Sequence, residues 1–388
     1  MTRIYMDHNA TTPVAPEVLA AIMPYYSEEW GNASSVHWAG RGPKNAIDDA
    51  REAVSSLIGA PPRDVFFTSG GTESDNTALI GVAQALRAKG RHIVTSAIEH
   101  PAILDTLESM ERLQGYEVTR IEVDTHGRHD LEALRSALRE DTVLVSVMLA
   151  NNELGNINPI AEMSEITHEA GVLFHCDAVN ALGKIPVDVA ELGADLLSIS
   201  AHKIYAPKGV GALYVKRKTP FEPYLRGGGQ ERGRRCGTYN TAGIVGFGKA
   251  AEVASPYVDA EAMASVARLR DRLESKILDG LAGVELNGDP NDRLPNTSNL
   301  SFEGVDGEGL VLNLDLNSIA ISTGSACSSG SLEPSHVLLG LDKDKRWLEA
   351  AIRFSLGRSN DEHQVDQVAD TLIREVRRLR QVVSEATG

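Results

Sequence analysis

The chain is poor in cysteine: among 388 residues there are three, Cys176, Cys236 and Cys327. No two of them form a Cys-x-x-Cys pair, and none joins a short Cys/His cluster, which argues against a disulfide framework or a zinc site. So sparse and odd a count suits a reducing compartment. Long apolar runs are absent as well. No uncharged stretch approaches the roughly 18 residues that would cross a bilayer, and Met1-Thr2-Arg3-Ile4-Tyr5-Met6-Asp7 lacks the apolar core of a secretory signal. Positive charge is in deficit: 54 acidic residues face 38 basic ones, for a net charge of −16. A surface so acidic disfavours nonspecific binding to nucleic acid, which needs cations against phosphates. The expectation is a cytoplasmic protein with no membrane and no direct nucleic-acid partner.

What is present is an alternation. Hydrophobic residues make up 42% of the chain, enough for one large or two moderate cores. Helical patterns at Lys44–Ile58, Thr72–Lys89 and Ala102–Leu113 alternate with apolar runs. The runs are Val65–Thr68, Ile93–Ser96, Val143–Met148, Val172–Cys176 and Leu196–Ser200. Helices between buried runs predict an α/β fold with a mainly parallel sheet covered on both faces. After about Ala254 the pattern changes to a long helix, Ala260–Leu281, Asn/Asp/Pro-rich sequence at 287–299, and shorter strands such as Ile352–Ser355. This predicts a smaller α+β domain of residues 1–15 and 255–388 beside a large domain of 16–254. The C-terminal segment repeats Val365, Val368, Leu372, Val376, Leu379 and Val383 at helical spacing. Arg374, Arg377, Arg378 and Arg380 are read as its solvated face.

Three features fall at predicted strand ends, where open α/β sheets bind ligands. Thr68-Ser69-Gly70-Gly71-Thr72-Glu73-Ser74 leads from a strand into a helix, whose first N–H groups and Thr72 hydroxyl suit a phosphate. No Gly-Lys-Ser/Thr follows, so it is not a Walker loop. Asp177 follows one apolar run, and Ser200-Ala201-His202-Lys203 follows another. Each alone is explained by a turn, a solvated carboxylate or a surface lysine. Together they match what pyridoxal 5'-phosphate requires: a lysine for the Schiff base, a carboxylate for the pyridine nitrogen, and phosphate donors including Ser200 and His202. His100, just past a further strand, is a candidate to stack on the ring and move protons. The remaining feature is Cys327, in Ser322-Thr323-Gly324-Ser325-Ala326-Cys327-Ser328-Ser329-Gly330-Ser331. Hydroxyls and glycines around a thiol are the composition of a mobile tether rather than of a packed core.

At these residues the chain resembles a known family. Tyr5-Met6-Asp7-His8-Asn9-Ala10-Thr11-Thr12-Pro13, Gly31-Asn32-Ala33-Ser34-Ser35-Val36-His37, Phe67-Thr68-Ser69-Gly70-Gly71-Thr72-Glu73-Ser74-Asp75-Asn76, Asn151-Asn152-Glu153-Leu154-Gly155, His202-Lys203-Ile204-Tyr205-Ala206-Pro207-Lys208-Gly209 and Gly227-Gly228-Gly229-Gln230-Glu231-Arg232 are similar to the cysteine desulfurases, in order, from residue 5 to about 358. The Ser-Ala-Cys-Ser-Ser-Gly loop resembles their first group, of housekeeping and nitrogen-fixation sulfur donors. The resemblance implies a fold type I pyridoxal-phosphate-dependent homodimer with a seven-stranded sheet in the large domain. It implies conversion of L-cysteine to L-alanine, with the sulfur carried on Cys327 as a persulfide to an acceptor such as an iron–sulfur scaffold or a thiolation enzyme. By position, Lys203 would carry the cofactor and Asp177 would pair with its nitrogen. His100 would stack on the ring, and Gly71, Thr72, Ser200 and His202 would hold the phosphate, with Thr238 reaching in from the neighbouring subunit. Asn152 would contact the substrate side and Arg353 would take the substrate carboxylate.

Two positions depart from that pattern. Asn180 stands where glutamine usually bonds the cofactor's phenolic oxygen, and it is one methylene shorter. Cys236 replaces a usual serine or alanine and is read as a packed small residue. Cys176 should face away from the cofactor by strand alternation. A type I aminotransferase, a selenocysteine lyase and a non-catalytic scaffold that binds a sulfur acceptor stand as the competing readings.

Overall fold

A computed structural model describes residues 3–323, 334–348 and 350–387. A two-residue strand, β1 (Ile4–Tyr5), opens the chain. Seven strands then build the central sheet: β2 (Val65–Thr68), β3 (His92–Ser96), β4 (Glu117–Ile121), β5 (Thr142–Met148), β6 (Leu173–Asp177), β7 (Leu196–Ser200) and β8 (Gly211–Val215). Their order is β2-β8-β7-β6-β5-β3-β4. The five strands from β7 to β4 run parallel, while β8 is antiparallel to both β2 and β7.

The predicted runs form strands because both faces of the sheet are covered, so each residue finds apolar surroundings whichever way it points. Every residue of β2, β3, β5, β7 and β8 is buried. Neighbouring residues divide between two cores: Phe66, Ile93 and Leu144 pack with Leu79 and Leu107, while Phe67, Val94 and Val145 pack with Ile47, Val54 and Phe247. Two strands escaped the sequence reading. β4, Glu-Val-Thr-Arg-Ile, is an edge strand with one buried residue, and so carries no apolar run. β8 is short and begins with glycine, which reads as a turn.

The remaining strands are β9 (Val284–Leu286), β10 (Thr297–Phe302), β11 (Ile319–Ala320), β12 (Ser322–Thr323) and β13 (Ala351–Ser355). They form an antiparallel sheet, β12-β13-β10-β9, and a parallel pair, β1-β11. Ile4, Met6, Leu273, Leu300, Ile352 and Leu372 belong to their common core. Thr297–Asn299, at the end of the Asn/Asp/Pro-rich stretch, is strand, with the Asn299 side chain paired inside. Asn287 Nδ2 donates to Asn299 Oδ1 at 2.9 Å, and Asn299 Nδ2 donates to Glu153 O at 3.2 Å. The terminal helix, Glu362–Thr387, is present, but its arginines do more than face water. Arg377 donates to Gly280 O, and Arg380 to Ala282, Gly283 and Glu303 carbonyls. They satisfy carbonyls at and just past the end of the Ala260–Gly280 helix.

Candidate active site

The carboxyl ends of β3, β5, β6 and β7 open onto one cavity of about 160 Å³. Its lining includes ten of the residues singled out from sequence: Gly71, Thr72, His100, Asn152, Asp177, Asn180, Ser200, His202, Lys203 and Arg353. Thr238 is exposed and does not line it, and Cys327 lies outside the described residues. Cys176 is fully buried in the core with its thiol pushed well up by burial, and Cys236 is half-buried away from the cavity.

Asp177 ends β6 and accepts the Val179 N–H on Oδ1 at 2.8 Å. Burial raises its carboxyl to about 6, against the lowering pull of that bond and of the Lys203 charge. A cationic nitrogen beside it would offset the desolvation that holds the proton there. Lys203 ends the 3₁₀ turn Ala201–Lys203 that follows β7. Its Nζ donates to the Asn9 and Ala10 carbonyls, so the N-terminal segment holds it toward the cavity.

His100 caps the Pro101–Gln114 helix: Nδ1 accepts the Ala102 N–H at 3.0 Å. Burial, then the charges of Lys203 and His336, lower its pKa to about 4. The imidazole is therefore neutral at pH 7, with its proton on Nε2 because Nδ1 is accepting. His202 is lowered to about 4 in the same way, by burial and then by Lys203.

Gly71, Thr72, Ser200 and His202, the residues expected at a phosphate, all line the cavity. Gly71 begins a 15-residue helix, whose first N–H groups lack intrahelical partners. A Cβ on Gly71 would come within 2.7 Å of Val179 Cγ2 and 3.6 Å of Ser200 Cβ, so a side chain would crowd the cradle. Ser200 Oγ is buried with no hydrogen-bond partner among the described residues. Arg353, on β13, 2% exposed and also lining the cavity, donates from Nη2 to Asp7 Oδ1 at 2.8 Å and from Nη1 to Asn152 O at 3.0 Å. Its buried Nε has no partner among the described residues. An unmet hydroxyl beside a helix start, a buried carboxylate, a lysine and an unmet guanidinium N–H are the donor set that pyridoxal phosphate and an amino-acid carboxylate need. The residues fit the cofactor.

Sequence reasoning missed Asn9, Asp75 and Lys184. Asn9 is the junction of the site. Its amide nitrogen donates to Asn152 O (3.1 Å) and Thr297 Oγ1 (2.9 Å), its backbone N–H to Ser355 Oγ (2.9 Å), and its carbonyl accepts from Lys203. Asp75 lines the cavity, fully buried, with its carboxyl driven well up by burial and then by Asp177. Asn9 and Asp75 stand inside the quoted motifs, so the signal was present without a role attached to it. Among the described residues no Asp/Glu/His/Cys group could hold a metal ion, and no helix is long and apolar enough to cross a membrane.

The class-V aminotransferase family model matches residues 4–368. A cysteine desulfurase, IscS, of Dictyoglomus turgidum is 48% identical over 379 residues, covering 98% of this chain and 96% of that protein. Among solved structures, a NifS-like protein superposes with a TM-score of 0.91 at 37% identity, covering 97% of this chain and 100% of the other. SspA in complex with cysteine gives 0.81 at 34% identity, with 92% and 99% covered. With a site of this composition and relatives this similar over nearly the full length, the chain belongs to the class-V aminotransferases and, within them, to the cysteine desulfurases.

Proposed function

We propose that the chain converts L-cysteine to L-alanine with pyridoxal phosphate and carries the released sulfur on Cys327 as a persulfide. The observation that carries this reading is the convergence of Lys203, Asp177, His100 and Arg353 on one cavity at the sheet's carboxyl edge. Lys203 would hold the cofactor covalently, Asp177 its pyridine nitrogen, and Gly71, Thr72, Ser200 and His202 its phosphate. Bound there, pyridoxal phosphate supplies an electron sink that acidifies the substrate Cα–H and loosens its sulfur.

Arg353 takes the substrate carboxylate with its unmet Nε–H and the adjoining face of the guanidinium, beside Asn152. Lys203 Nζ, which lines the same cavity, would take the substrate Cα proton. The Cys327 thiolate then attacks the substrate Sγ. A sulfur–sulfur bond forms as the Cβ–S bond breaks, and protonation of the remaining carbon skeleton gives L-alanine. Because His100 already holds a proton on Nε2 and accepts on Nδ1, it serves as a donor over the ring. The Cys327 proton would go to the substrate amine before that amine engages the cofactor, since the nucleophile is the thiolate.

The same proposal takes residues 16–254 as the cofactor domain and 1–15 with 255–388 as the domain bearing the cysteine loop, supported by their separate cores. It takes the enzyme to be a cytoplasmic homodimer. Support comes from exposed apolar residues packed into a short stretch: Leu19, Met23, Tyr26, Trp30, Val36 and Trp38. Support comes also from Thr238, exposed on a loop anchored by the buried Arg51–Glu231 pair and free to serve the neighbouring site. The acceptor is an iron–sulfur scaffold or a thiolation enzyme.

The test is spectroscopic and chemical together. Purified protein shows the cofactor band at about 420 nm and releases sulfide from L-cysteine with a dithiol. Lys203→Ala loses the band; Cys327→Ser keeps it and releases no sulfide. Full sulfide release by the serine variant refutes the persulfide step.

A further inference from the structure

Lys184 belongs to no motif quoted above, yet its ammonium is wholly committed beside the cavity. Nζ donates to Asn180 Oδ1 at 2.6 Å, Asn180 O at 2.8 Å and Asn9 Oδ1 at 2.9 Å. Burial, then the charges of Lys203 and Arg353, pull its pKa well below the usual lysine value, while three oxygens within 2.9 Å favour the charged form, whose three hydrogens they use. Lys184 therefore offers no proton to a reaction; its work is to hold two asparagines.

Both asparagines matter. Asn180 lines the cavity, and its amide has two faces, one donating and one accepting. Lys184 can only donate, so the face turned to it is Oδ1, which fixes the amide against a flip. The backbone carbonyl and the amide oxygen of the same residue are gripped by one nitrogen, which also fixes the side-chain torsion. Nδ2 is left with one long bond, 3.4 Å to Asn151 O, and a second hydrogen that no described acceptor takes. Asn9, the third acceptor, receives Lys203 on its carbonyl. Asparagine here is shorter than the glutamine expected at this place, so its reach depends on aim.

We infer that Lys184 is a positioning residue that fixes the Asn180 amide so that Nδ2 is the donor offered to the phenolic oxygen of pyridoxal phosphate, and that Asn9 ties this setting to Lys203. The inference rests on the proposed cofactor. Charged neighbours of Lys184 are Lys203 and Arg353, with His8 and His202 on the adjoining segments; a purely electrostatic role would act on all of them without passing through Asn180.

The experiment is a double-mutant cycle on the full chain, comparing Lys184→Met, Asn180→Ala and the pair. Two quantities are read: the affinity for pyridoxal phosphate, and the wavelength of the bound cofactor's band. Lys184→Met lowers affinity about fivefold to tenfold, as for one lost hydrogen bond, and moves the band. Asn180→Ala does the same, and the double variant is no worse than Asn180→Ala alone. Additive effects, or an unchanged band in either single variant, overturn the inference. The Asn180→Ala arm decides the matter even where Lys184→Met fails to fold, because an unaltered spectrum there leaves Lys184 nothing to position. A wild-type protein without any band overturns the cofactor reading as well; a wild-type band with an unchanged Lys184→Met band overturns the Lys184 inference alone.

Discussion

Replacing Arg353 by lysine tests the substrate end of the cavity without removing its charge. The guanidinium has two partners, Asp7 Oδ1 on Nη2 and Asn152 O on Nη1, and among the described residues buried Nε has none. That leaves a planar fork with one edge available to a carboxylate. Lysine has a single nitrogen, which meets Asp7 or the substrate but not both in the same geometry. One hydrogen bond to a charged group contributes about 1.5–3 kcal/mol. At about 1.4 kcal/mol per factor of ten, the loss corresponds to roughly 10- to 150-fold in kcat/KM. Because the carboxylate is held alike before and during the reaction, most of the change should fall on KM. Initial rates of alanine formation over a range of L-cysteine concentrations measure this, with the band at about 420 nm showing that the cofactor still binds. A fall in kcat with KM unchanged refutes the carboxylate role and places Arg353 in the chemical steps.

Three further outcomes are expected. Glu153, buried and accepting from Ser335 Oγ at 2.7 Å, is raised from its ordinary 4.5 to about 7, chiefly by burial. The unfolded chain ionises it first, so the fold loses up to about 3 kcal/mol as pH rises from about 4.5 through 7. Glu153→Gln should therefore match wild type in denaturant titrations near pH 4.5 and exceed it above 7; equal stability at both ends contradicts this. Gly71→Ala puts a methyl 2.7 Å from Val179 Cγ2 and should weaken pyridoxal phosphate binding more than it lowers the melting temperature of cofactor-free protein. Arg51→Met leaves Glu231 buried without its bidentate partner at 2.7 and 2.9 Å. It should cost about 3–5 kcal/mol, visible as a lowered denaturation midpoint, and a loss under 1 kcal/mol would show that Glu231 is reached by water.

The central sheet was legible because its strands are buried on both faces, and buried strands announce themselves as apolar runs. The same logic hid β4, whose exposed edge leaves Glu117 and Arg120 in place of hydrophobes. It also hid Thr297–Asn299, where the side chains are polar yet buried, Asn299 being paired with Asn287 and the Glu153 carbonyl. At the site, Asp177 and Lys203 were readable from their place after apolar runs. Asn9 and Lys184 were not, since a hydrogen-bond network across 175 residues of sequence leaves no periodic trace. The arginines of the last helix had the spacing of a solvated face, and only the positions of the carbonyls at Gly280, Ala282 and Gly283 show what they bind.

The placement of Asn9 has a consequence for the order in which the molecule is made. β1 pairs with Ile319 and Ala320, and Asn9 needs Ser355 and Thr297 for its bonds. A segment synthesised before the central sheet must therefore wait for partners some 300 residues later, while the central sheet can assemble from strands already present. Domains generally fold as units during synthesis, and contacts this distant in sequence form slowly. Lys203 would thus acquire its final setting last, which makes β1 a checkpoint: a cofactor pocket with its floor complete stays unfinished until residues 297–355 have arrived.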